Sequence, residues 1–246
     1  MIVGGFMRAL MERWRGGSAL LRWLLGTPLA NLRVLATAKD RKQAQEIVMQ
    51  RSERVLATCR ITVEISGTAP LPGMGCVLVY NETSFADVFA FSAIMWKHID
   101  RASAADVYAW IPFARAASSR AGIALVPRGN RTGTERVLTE MVEAVKAGER
   151  VAWGGEGRLS GRDEVLRFKV GASLIAIRAG APLVPVAFHG GHQAIPLGSI
   201  RACPGVIRVR FGPPLSTTGL GDDAARDLSD RAQVVVTTMY AELASA

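Results

Sequence analysis

Two carboxylates, Glu82 and Asp87, stand five residues apart where an apolar segment of strand type ends and a helical pattern begins. Residues 77–80 are apolar, residues 81–84 form a polar turn, and apolar residues then recur at helical spacing. Reactive groups of α/β proteins are common where a strand ends and faces a helix N-terminus. Residues five apart lie about 140° apart around a helix. The two carboxylates can therefore cooperate only if Glu82 lies on the turn before the helix.

A carboxylate at this junction can act as a base only if its pKa is raised. A solvated glutamate has a pKa of about 4.3 and is a weak base toward an alcohol. Burial and the charge of Asp87 can both raise the pKa of Glu82, and the two groups then titrate as a coupled pair.

Polar and glycine-rich segments follow two further predicted strands. Arg128 comes after the strand at residues 123–126, and residues 154–158, Gly-Gly-Glu-Gly-Arg, come after the strand at residues 151–153. Such glycines let the backbone approach an anionic group, and arginines supply charge-assisted hydrogen bonds to a phosphate. The alternative is that the glycines only form a tight strand-to-helix turn.

Three histidines are the other candidates for proton transfer. His189 and His192 follow a predicted strand, and one of them is a candidate for the base in place of Glu82; a loop histidine bonded to backbone is the alternative. Two histidines without a third ligand do not make a metal site, so no metal is expected. His98, at a predicted helix end, is placed to interact with the helix dipole.

Taken in order, these segments resemble the glycerolipid acyltransferase family, in particular its lysophosphatidic acid acyltransferase group. Residues 81–87 resemble the motif Asn-His-x4-Asp, with Glu82 in place of the histidine. Residues 122–128 resemble the second motif, and residues 184–187 the fourth. Residues 154–160 are similar to the third, Phe-Pro-Glu-Gly-Thr-Arg-Ser, although glycines replace Phe-Pro and Arg-Leu replaces Thr-Arg. The resemblance spans residues 60 to 243.

The resemblance implies transfer of a fatty acyl group from acyl-CoA or acyl-carrier protein to a hydroxyl of a lysophospholipid or another lipid-like acceptor. No cofactor is implied beyond this thioester cosubstrate. Glu82 would be the base or a group that orients the acceptor, and Asp87 its electrostatic partner. The residues expected to contact substrates are Asn81, Ser84, Arg128, Glu156, Gly157, Arg158, Ser160 and Pro185.

Two further expectations follow from the resemblance. Phe85, Phe89 and the strand with Pro185 are expected to form an aliphatic wall for the acyl chain. Because Glu82 replaces the histidine, a non-catalytic homologue that binds membrane lipid or an acyl ligand is the alternative.

The elements that must position these residues alternate between strands and helices. Strands are predicted at residues 61–65, 77–80, 107–111, 123–126, 151–153, 183–188 and 206–211. Helices are predicted at residues 5–24 and 28–58 on either side of Gly26-Thr27-Pro28, then after residue 84, after a Thr134 cap, at 168–179 and at 222–243. Pro185 indicates an edge strand or a bulge. The pattern predicts an α/β domain at residues 59–246, with a central mixed sheet flanked by helices, after an amphipathic helical extension at residues 1–58.

The charge is concentrated in that extension. The chain carries a net charge of +9, but residues 1–60 hold 11 basic residues against 4 acidic ones. Together with Trp14, Trp23 and nearby leucines, this pattern is typical of a segment that lies on an anionic membrane surface. Arg22 interrupts the apolar stretch, which disfavours a signal peptide. The expected location is therefore peripheral, on the cytoplasmic face of the cell membrane, with an ordinary packed helix as the alternative.

Two remaining features bear on class and compartment. The region that forms the sheet is nearly charge-balanced and lacks interleaved aromatic and basic residues, which excludes a nucleic-acid binder. The three cysteines have neither disulfide nor metal-ligand spacing, as expected in a reducing compartment.

Overall fold

A computed structural model describes residues 2–245 of the chain. These residues form a seven-stranded sheet and eight α-helices, with three short 3₁₀ helices. The strands are β1 (Ile61–Ser66), β2 (Cys76–Tyr80), β3 (Arg101–Ala105), β4 (Ile123–Val126), β5 (Arg150–Gly154), β6 (Leu183–His189) and β7 (Gly205–Phe211). The helices are α1 (Ile2–Thr37), α2 (Arg41–Cys59), α3 (Phe85–Ile94), α4 (Ala114–Ala121), α5 (Arg131–Lys146), α6 (Gly171–Ala179), α7 (Gly191–Ala194) and α8 (Ala225–Ala244).

The sheet is mixed, as the sequence predicts. Its strand order is β1-β7-β6-β2-β5-β3-β4. The pairs are parallel except for β6 and β7, which are antiparallel. The strand ends of β2, β3, β4 and β5 therefore meet at one edge of the sheet.

Helices cover both faces of this sheet. The core on one face joins the sheet to α2 and α3, and the core on the other face joins it to α5, α6 and α8. Strands β2 and β6 are buried along their whole length because both of their faces are covered. Helix α2 contributes Val55, Leu56 and Cys59 to the same core as the sheet, so this half of the predicted extension packs on the α/β body.

Helix α1 runs without a break through Pro28, so the predicted division at Gly26-Thr27-Pro28 is wrong. Packing on α2 outweighs the local break signal, since the Arg51 side chain of α2 donates to the Trp23 carbonyl and to the hydroxyl of Thr27, the residue directly before the proline. The break falls instead at residues 38–40, where Asp40 caps α2 by accepting from the Gln43 N–H. Within residues 2–245, no helix combines the length and apolar character that crossing a membrane requires.

The strand predicted at residues 107–111 is also wrong, because Asp106–Trp110 is a 3₁₀ helix. The strand lies directly before it, at β3. Its sequence, Arg-Ala-Ser-Ala-Ala, has low intrinsic strand preference, whereas residues 107–111 are β-branched and aromatic. Pairing of β3 with both β4 and β5 decides the outcome.

Two helix starts differ from the prediction. Asn130, not Thr134, caps α5, with its side chain accepting from the Gly133 N–H at 2.9 Å. Thr134 lies in the first turn and donates to the Asn130 carbonyl. Helix α6 begins at Gly171 instead of residue 168, and the residues before it form a loop.

Pro185 lies in an internal strand, so the edge alternative is wrong. Leu183 is bridged to Leu215 while Val186 pairs with Phe211, so residues 212–214 lie opposite the two residues 184–185. This one-residue shift is a bulge, as the other alternative predicted. The Gly212 N–H donates to the Pro185 carbonyl at 2.8 Å.

Candidate active site

Asn81 fastens the end of β2 to the end of β6. Its side-chain amide donates to the Phe188 carbonyl, and its Oδ1 accepts from the Phe188 N–H, both at 2.9 Å. The side chain is fully buried. With both of its polar atoms engaged by backbone, Asn81 holds the turn in place.

The turn that follows is closed by a capping box. The Ser84 hydroxyl oxygen accepts from the Ala86 N–H at 3.1 Å and caps α3. Asp87 Oδ2 accepts from the Thr83 N–H at 2.7 Å, the Thr83 hydroxyl at 2.6 Å and the Ser84 N–H at 3.2 Å. Asp87 Oδ1 is buried, has no hydrogen-bond partner within the described chain, and lies against Gly191. The capping box places Glu82 on the turn before the helix, as the sequence predicts.

The glycine-rich loop after β5 is hydrogen-bonded to this turn. The N–H groups of Gly155, Ser160 and Gly161 donate to the carbonyls of Tyr80, Glu82 and Thr83 at 2.8, 2.9 and 3.0 Å. The Ser160 hydroxyl donates to the Arg162 carbonyl within its own loop. The backbone of Glu82 is thus held from both sides, while its side chain takes no part in holding the turn.

Glu82 lines a cavity of about 600 Å³ at the carboxyl ends of β2, β3, β4 and β5, beneath α3. Apolar and aromatic side chains form much of its wall, among them Tyr80, Val88, Phe91, Trp96, Ile123, Val126, Leu138 and Leu174. A carboxyl group at one end of an apolar cavity can accept a proton from a group delivered with an apolar chain.

Three cationic side chains line the same cavity: Arg128, Arg158 and Lys169. Arg128 Nη2 donates to the Gly157 carbonyl at 3.2 Å. Gly157 has a φ of 68°, a backbone conformation that favours glycine, and Lys169 Nζ lies 3.1 Å from the place where a β-carbon would stand. The structure therefore brings Arg128, Gly157 and Arg158 together with Glu82, as their positions at strand ends indicate.

Three carboxyl groups, those of Glu82, Asp87 and Glu156, form one electrostatic cluster. Burial, together with the charge of Asp87, raises the pKa of Glu82 to about 7, and Arg128 opposes this rise. Burial raises the pKa of Asp87 to about 6 against the hydrogen bonds from Thr83 and Ser84. Burial, followed by the charge of Glu82, raises the pKa of Glu156 to about 8.

Glu156 belongs to this cluster instead of the cavity wall. It is 4% exposed, and neither carboxyl oxygen accepts a well-aligned hydrogen bond from the described residues, although the backbone N–H groups of Glu82 and Leu166 lie beside it and oppose the rise of its pKa. It follows that Glu156 is largely protonated at neutral pH and adds little negative charge beside Glu82.

The model of the family described as Acyltransferase matches residues 60–189, which include the β2–α3 turn, Arg128 and the glycine-rich loop. This chain belongs to the acyltransferase family.

Individual relatives are consistent with this family. The chain is 31% identical over 135 residues to a 1-acyl-sn-glycerol-3-phosphate acyltransferase of Escherichia coli, a match that covers 54% of each chain. A Pseudomonas aeruginosa protein of the same name is 26% identical over 191 residues, which cover 77% of this chain and 72% of that protein. The chain thus spans about half the length of the Escherichia coli relative. The crystal structure of the 1-acyl-sn-glycerophosphate acyltransferase of Thermotoga maritima shares the fold, with a TM-score of 0.73, 21% identity and 98% coverage of both chains.

The histidines of this acyltransferase-family chain lie outside the cavity. His189 is buried on the face of the sheet covered by α8, where its ring packs edge-on against Tyr240 at 4.8 Å. Burial lowers the pKa of His189, against the charge of Asp163. Neither His189 nor His192 is among the residues that line the cavity with Glu82. The geometry therefore gives no support to a histidine base.

Several predicted substrate contacts also lie away from the cavity wall. Asn81, Ser84, Glu156, Ser160 and Pro185 are not among its lining residues. Asn81 and Ser84 serve the turn, Ser160 serves the loop, and Pro185 lies in β6 opposite the bulge at residues 212–214, as described above. The expected acyl wall is likewise shifted, since Phe85 and Phe89 are absent from the lining and Phe91 and Trp96 of the same helical segment are present.

Two tyrosines of the cavity were not identified from the sequence. Tyr80 is the last residue of β2 and lies two residues before Glu82. Tyr108 lies on the 3₁₀ helix Asp106–Trp110, where the sequence predicts a strand. For Tyr80 a signal existed, because residues i and i+2 of a strand share a face. Tyr108 could not be placed in the cavity from the sequence, because residues 107–111 are predicted as a strand and Asp106–Trp110 is a 3₁₀ helix.

Proposed function

We propose that this chain transfers a fatty acyl group from acyl-CoA or acyl-carrier protein to a hydroxyl of a lysophospholipid or a similar lipid. One observation carries the proposal: the Glu82 carboxyl lies in a cavity that combines an apolar interior with three cationic side chains. An acyl thioester and a phosphate-bearing lipid match this combination of surfaces. The names of the relatives from Escherichia coli and Pseudomonas aeruginosa support the same class of acceptor.

Glu82 acts in this proposal as the general base. With a pKa of about 7, the carboxylate is a stronger base than a solvated glutamate and is still ionised in about half of the molecules at neutral pH. It removes the proton of the acceptor hydroxyl, whose oxygen forms a bond to the thioester carbonyl carbon. The carbon–sulfur bond then breaks, and the leaving thiolate takes the proton back from Glu82. Asp87 contributes its charge and fixes the turn, while Glu156 stays neutral.

Arg128, Arg158 and Lys169 bind the acceptor phosphate in this proposal. Arg128 and Lys169 both approach the exposed loop at Gly157, which places their charges near each other. Charge-assisted hydrogen bonds from such a cluster suit a phosphomonoester or phosphodiester.

The enzyme works at the cytoplasmic face of the cell membrane as a peripheral protein in this proposal. Helix α1 exposes large apolar side chains, including Phe6, Leu10, Trp14, Leu21, Leu25 and Leu29, and carries arginines between them. The Asn31 side chain of α1 donates to the Pro112 carbonyl at 3.0 Å, next to the exposed aromatic residues Trp110 and Phe113. Tyr108 of the same 3₁₀ helix lines the cavity, so the apolar surface continues toward the place where a lipid enters.

The test uses purified protein, acyl-CoA and acyl-carrier protein as donors, and a panel of lysophospholipids, with thiol release and product mass as readouts. Wild-type protein should release thiol only when an acceptor is present. Glu82→Gln should lower kcat by about 100-fold or more, as expected on loss of a general base. Glu64→Gln, at an exposed glutamate of β1, is the matched control and should keep wild-type turnover. Turnover by Glu82→Gln at the wild-type rate contradicts the assignment.

A non-catalytic homologue is the second candidate, favoured by one observation. Asp87 Oδ1 has no hydrogen-bond partner within residues 2–245, so Asp87 is not hydrogen-bonded to Glu82. A binding protein would hold acyl-CoA or lipid with equal affinity in wild type and Glu82→Gln and release no thiol. Acceptor-dependent thiol release by wild type excludes it.

A further inference from the structure

The carboxyl of Glu82 and the hydroxyl of Tyr80 both lie over the side-chain face of Gly154. A β-carbon built on Gly154 would lie 3.3 Å from Glu82 Oε2 and 3.8 Å from the Tyr80 hydroxyl oxygen. The third of its three nearest neighbours is Cζ of the same tyrosine, at 3.9 Å. All three residues line the cavity. A substrate group packed against Gly154 therefore lies beside both the Glu82 carboxyl and the Tyr80 hydroxyl.

The Tyr80 ring is held rigidly in this orientation. It stacks on Phe91 with ring centroids 4.7 Å apart and an interplanar angle of 28°, and it packs against Phe188 at 5.9 Å. The residue is only 3% exposed. The position of its hydroxyl is thus fixed before any substrate binds, which is the condition for electrostatic preorganisation.

We propose, on the basis of the acyl transfer proposed above, that the thioester carbonyl reacts above Gly154 and that Tyr80 is a further catalytic residue. The Tyr80 hydroxyl donates a hydrogen bond to the carbonyl oxygen, on which negative charge develops as the acceptor oxygen adds to the carbon. Glu82 holds the proton taken from the acceptor until the carbon–sulfur bond breaks, and the thiolate then receives it. Tyr80 keeps its own proton throughout, so the hydroxyl stabilises charge without joining the proton transfer.

The surroundings of Tyr80 keep it a donor. Burial, followed by the charge of Glu82, raises the pKa of Tyr80 well above the usual value for a tyrosine. The hydroxyl is therefore protonated over the whole pH range in which Glu82 titrates. This separates the two roles, since ionisation of Glu82 changes with pH and the donor does not.

Gly154 keeps the reaction point open. A side chain at this position would occupy the space between the base and the donor. Because the three atoms nearest to the added β-carbon all belong to the side chains of Glu82 and Tyr80 and lie at 3.3 Å or more, an alanine fits the fold while narrowing the site.

The experiment compares wild type, Glu82→Gln, Tyr80→Phe and Gly154→Ala in the acceptor-dependent thiol-release assay. Tyr80→Phe should lower kcat by about 30-fold to 1,000-fold, the range for loss of one oxyanion donor, with KM for both substrates changed by less than about threefold. The midpoint of its kcat–pH curve should stay at the wild-type value. Gly154→Ala should lower kcat/KM by about tenfold or more, whereas Gly205→Ala, at another open glycine of the sheet, should keep it.

The outcomes distinguish this inference from the proposed function. No acceptor-dependent turnover by wild type overturns the proposed function and this inference with it. Wild-type turnover that is lost in Glu82→Gln but kept within threefold by Tyr80→Phe overturns the role of Tyr80 alone. If thermal melting shows that Tyr80→Phe does not fold, Gly154→Ala decides, and wild-type kcat/KM in that variant places the reaction elsewhere.

Discussion

The rate of acyl transfer should follow the ionisation of Glu82, because only its carboxylate form can accept the proton of the acceptor. With a pKa of about 7, Glu82 is ionised in about one tenth of the molecules at pH 6 and in about nine tenths at pH 8. The kcat/KM of wild type should therefore rise roughly ninefold between these pH values and then level off. A solvated glutamate would give a flat profile over the same range.

Asp87→Asn tests the cause of this pKa. The change removes the negative charge that contributes to raising the pKa of Glu82, while the asparagine oxygen can still accept from the Thr83 N–H and hydroxyl. The midpoint should fall below that of wild type. It should stay above 4.5, the ordinary value of a glutamate, because burial is the largest cause of the shift and remains in the variant.

The assay follows thiol release with a reagent that reacts from about pH 5.5 to about pH 9, with the rate in the absence of enzyme subtracted. Each profile is normalised to its own plateau, so that a loss of kcat in Asp87→Asn does not obscure the midpoint. Asp223→Asn, at an exposed carboxylate of the 3₁₀ helix before α8, should keep the wild-type midpoint. A flat wild-type profile, or an upward shift in Asp87→Asn, refutes the reasoning.

Two other predictions concern stability and membrane binding. Glu156→Gln should leave the free energy of unfolding unchanged near pH 4 and raise it by at most about 5 kcal/mol near pH 9. The reason is that the folded-state pKa of Glu156 is about 8, so wild type loses stability as pH rises from 4.5 through 8. Equal urea stability of variant and wild type at both pH values contradicts this electrostatic role. The double variant Leu21→Glu/Leu25→Glu removes two apolar side chains of α1 that are 57% and 62% exposed. It should weaken binding to anionic vesicles, measured by flotation, by about tenfold or more. Val234→Glu, at an exposed residue of α8, is the control and should leave this binding unchanged. Unchanged flotation of the double variant removes α1 from the membrane-binding surface.

The order of elements and the main junction follow from local signals in the sequence. Residues 77–87 combine an apolar run, a turn and a capping Ser84–Asp87 pair, and each signal acts over a few residues. The placement of Arg128 near Gly157 also follows, since both come directly after strands whose ends meet at one edge. Predictions of this kind need only the chain and the rule for parallel sheets.

The errors arise where distant contacts override local preference. Pro28 signals a helix break, but contact with Arg51 of α2 keeps α1 intact. The small residues of β3 have a low intrinsic preference for strands, yet they form a strand because β4 and β5 pair with them. In both cases the deciding partner lies far away in sequence.

The parts of the site that could not be predicted depend on how deeply a side chain is buried and on the register between strands. Glu156 fits a phosphate-binding motif by type, and only the three-dimensional packing shows that it is buried without partners. Which face His189 occupies follows from the register between β2 and β6, which pairs Tyr80 with Val186. That register separates His189 from the cavity, and no spacing within the sequence reports it.

The hydrogen bonds of the β2–α3 turn leave position 82 open to evolutionary change. Asn81 and Asp87 secure the turn with their side chains, whereas residue 82 contributes its backbone, whose carbonyl accepts from the Ser160 N–H. Almost any residue can supply that carbonyl, so selection can exchange the side chain at position 82 with little cost in folding. A different side chain at position 82 then alters the chemistry of the cavity while the scaffold around it stays the same. Because the residues that hold the turn are separate from the side chain that faces the cavity, the reactive group can change within one fold.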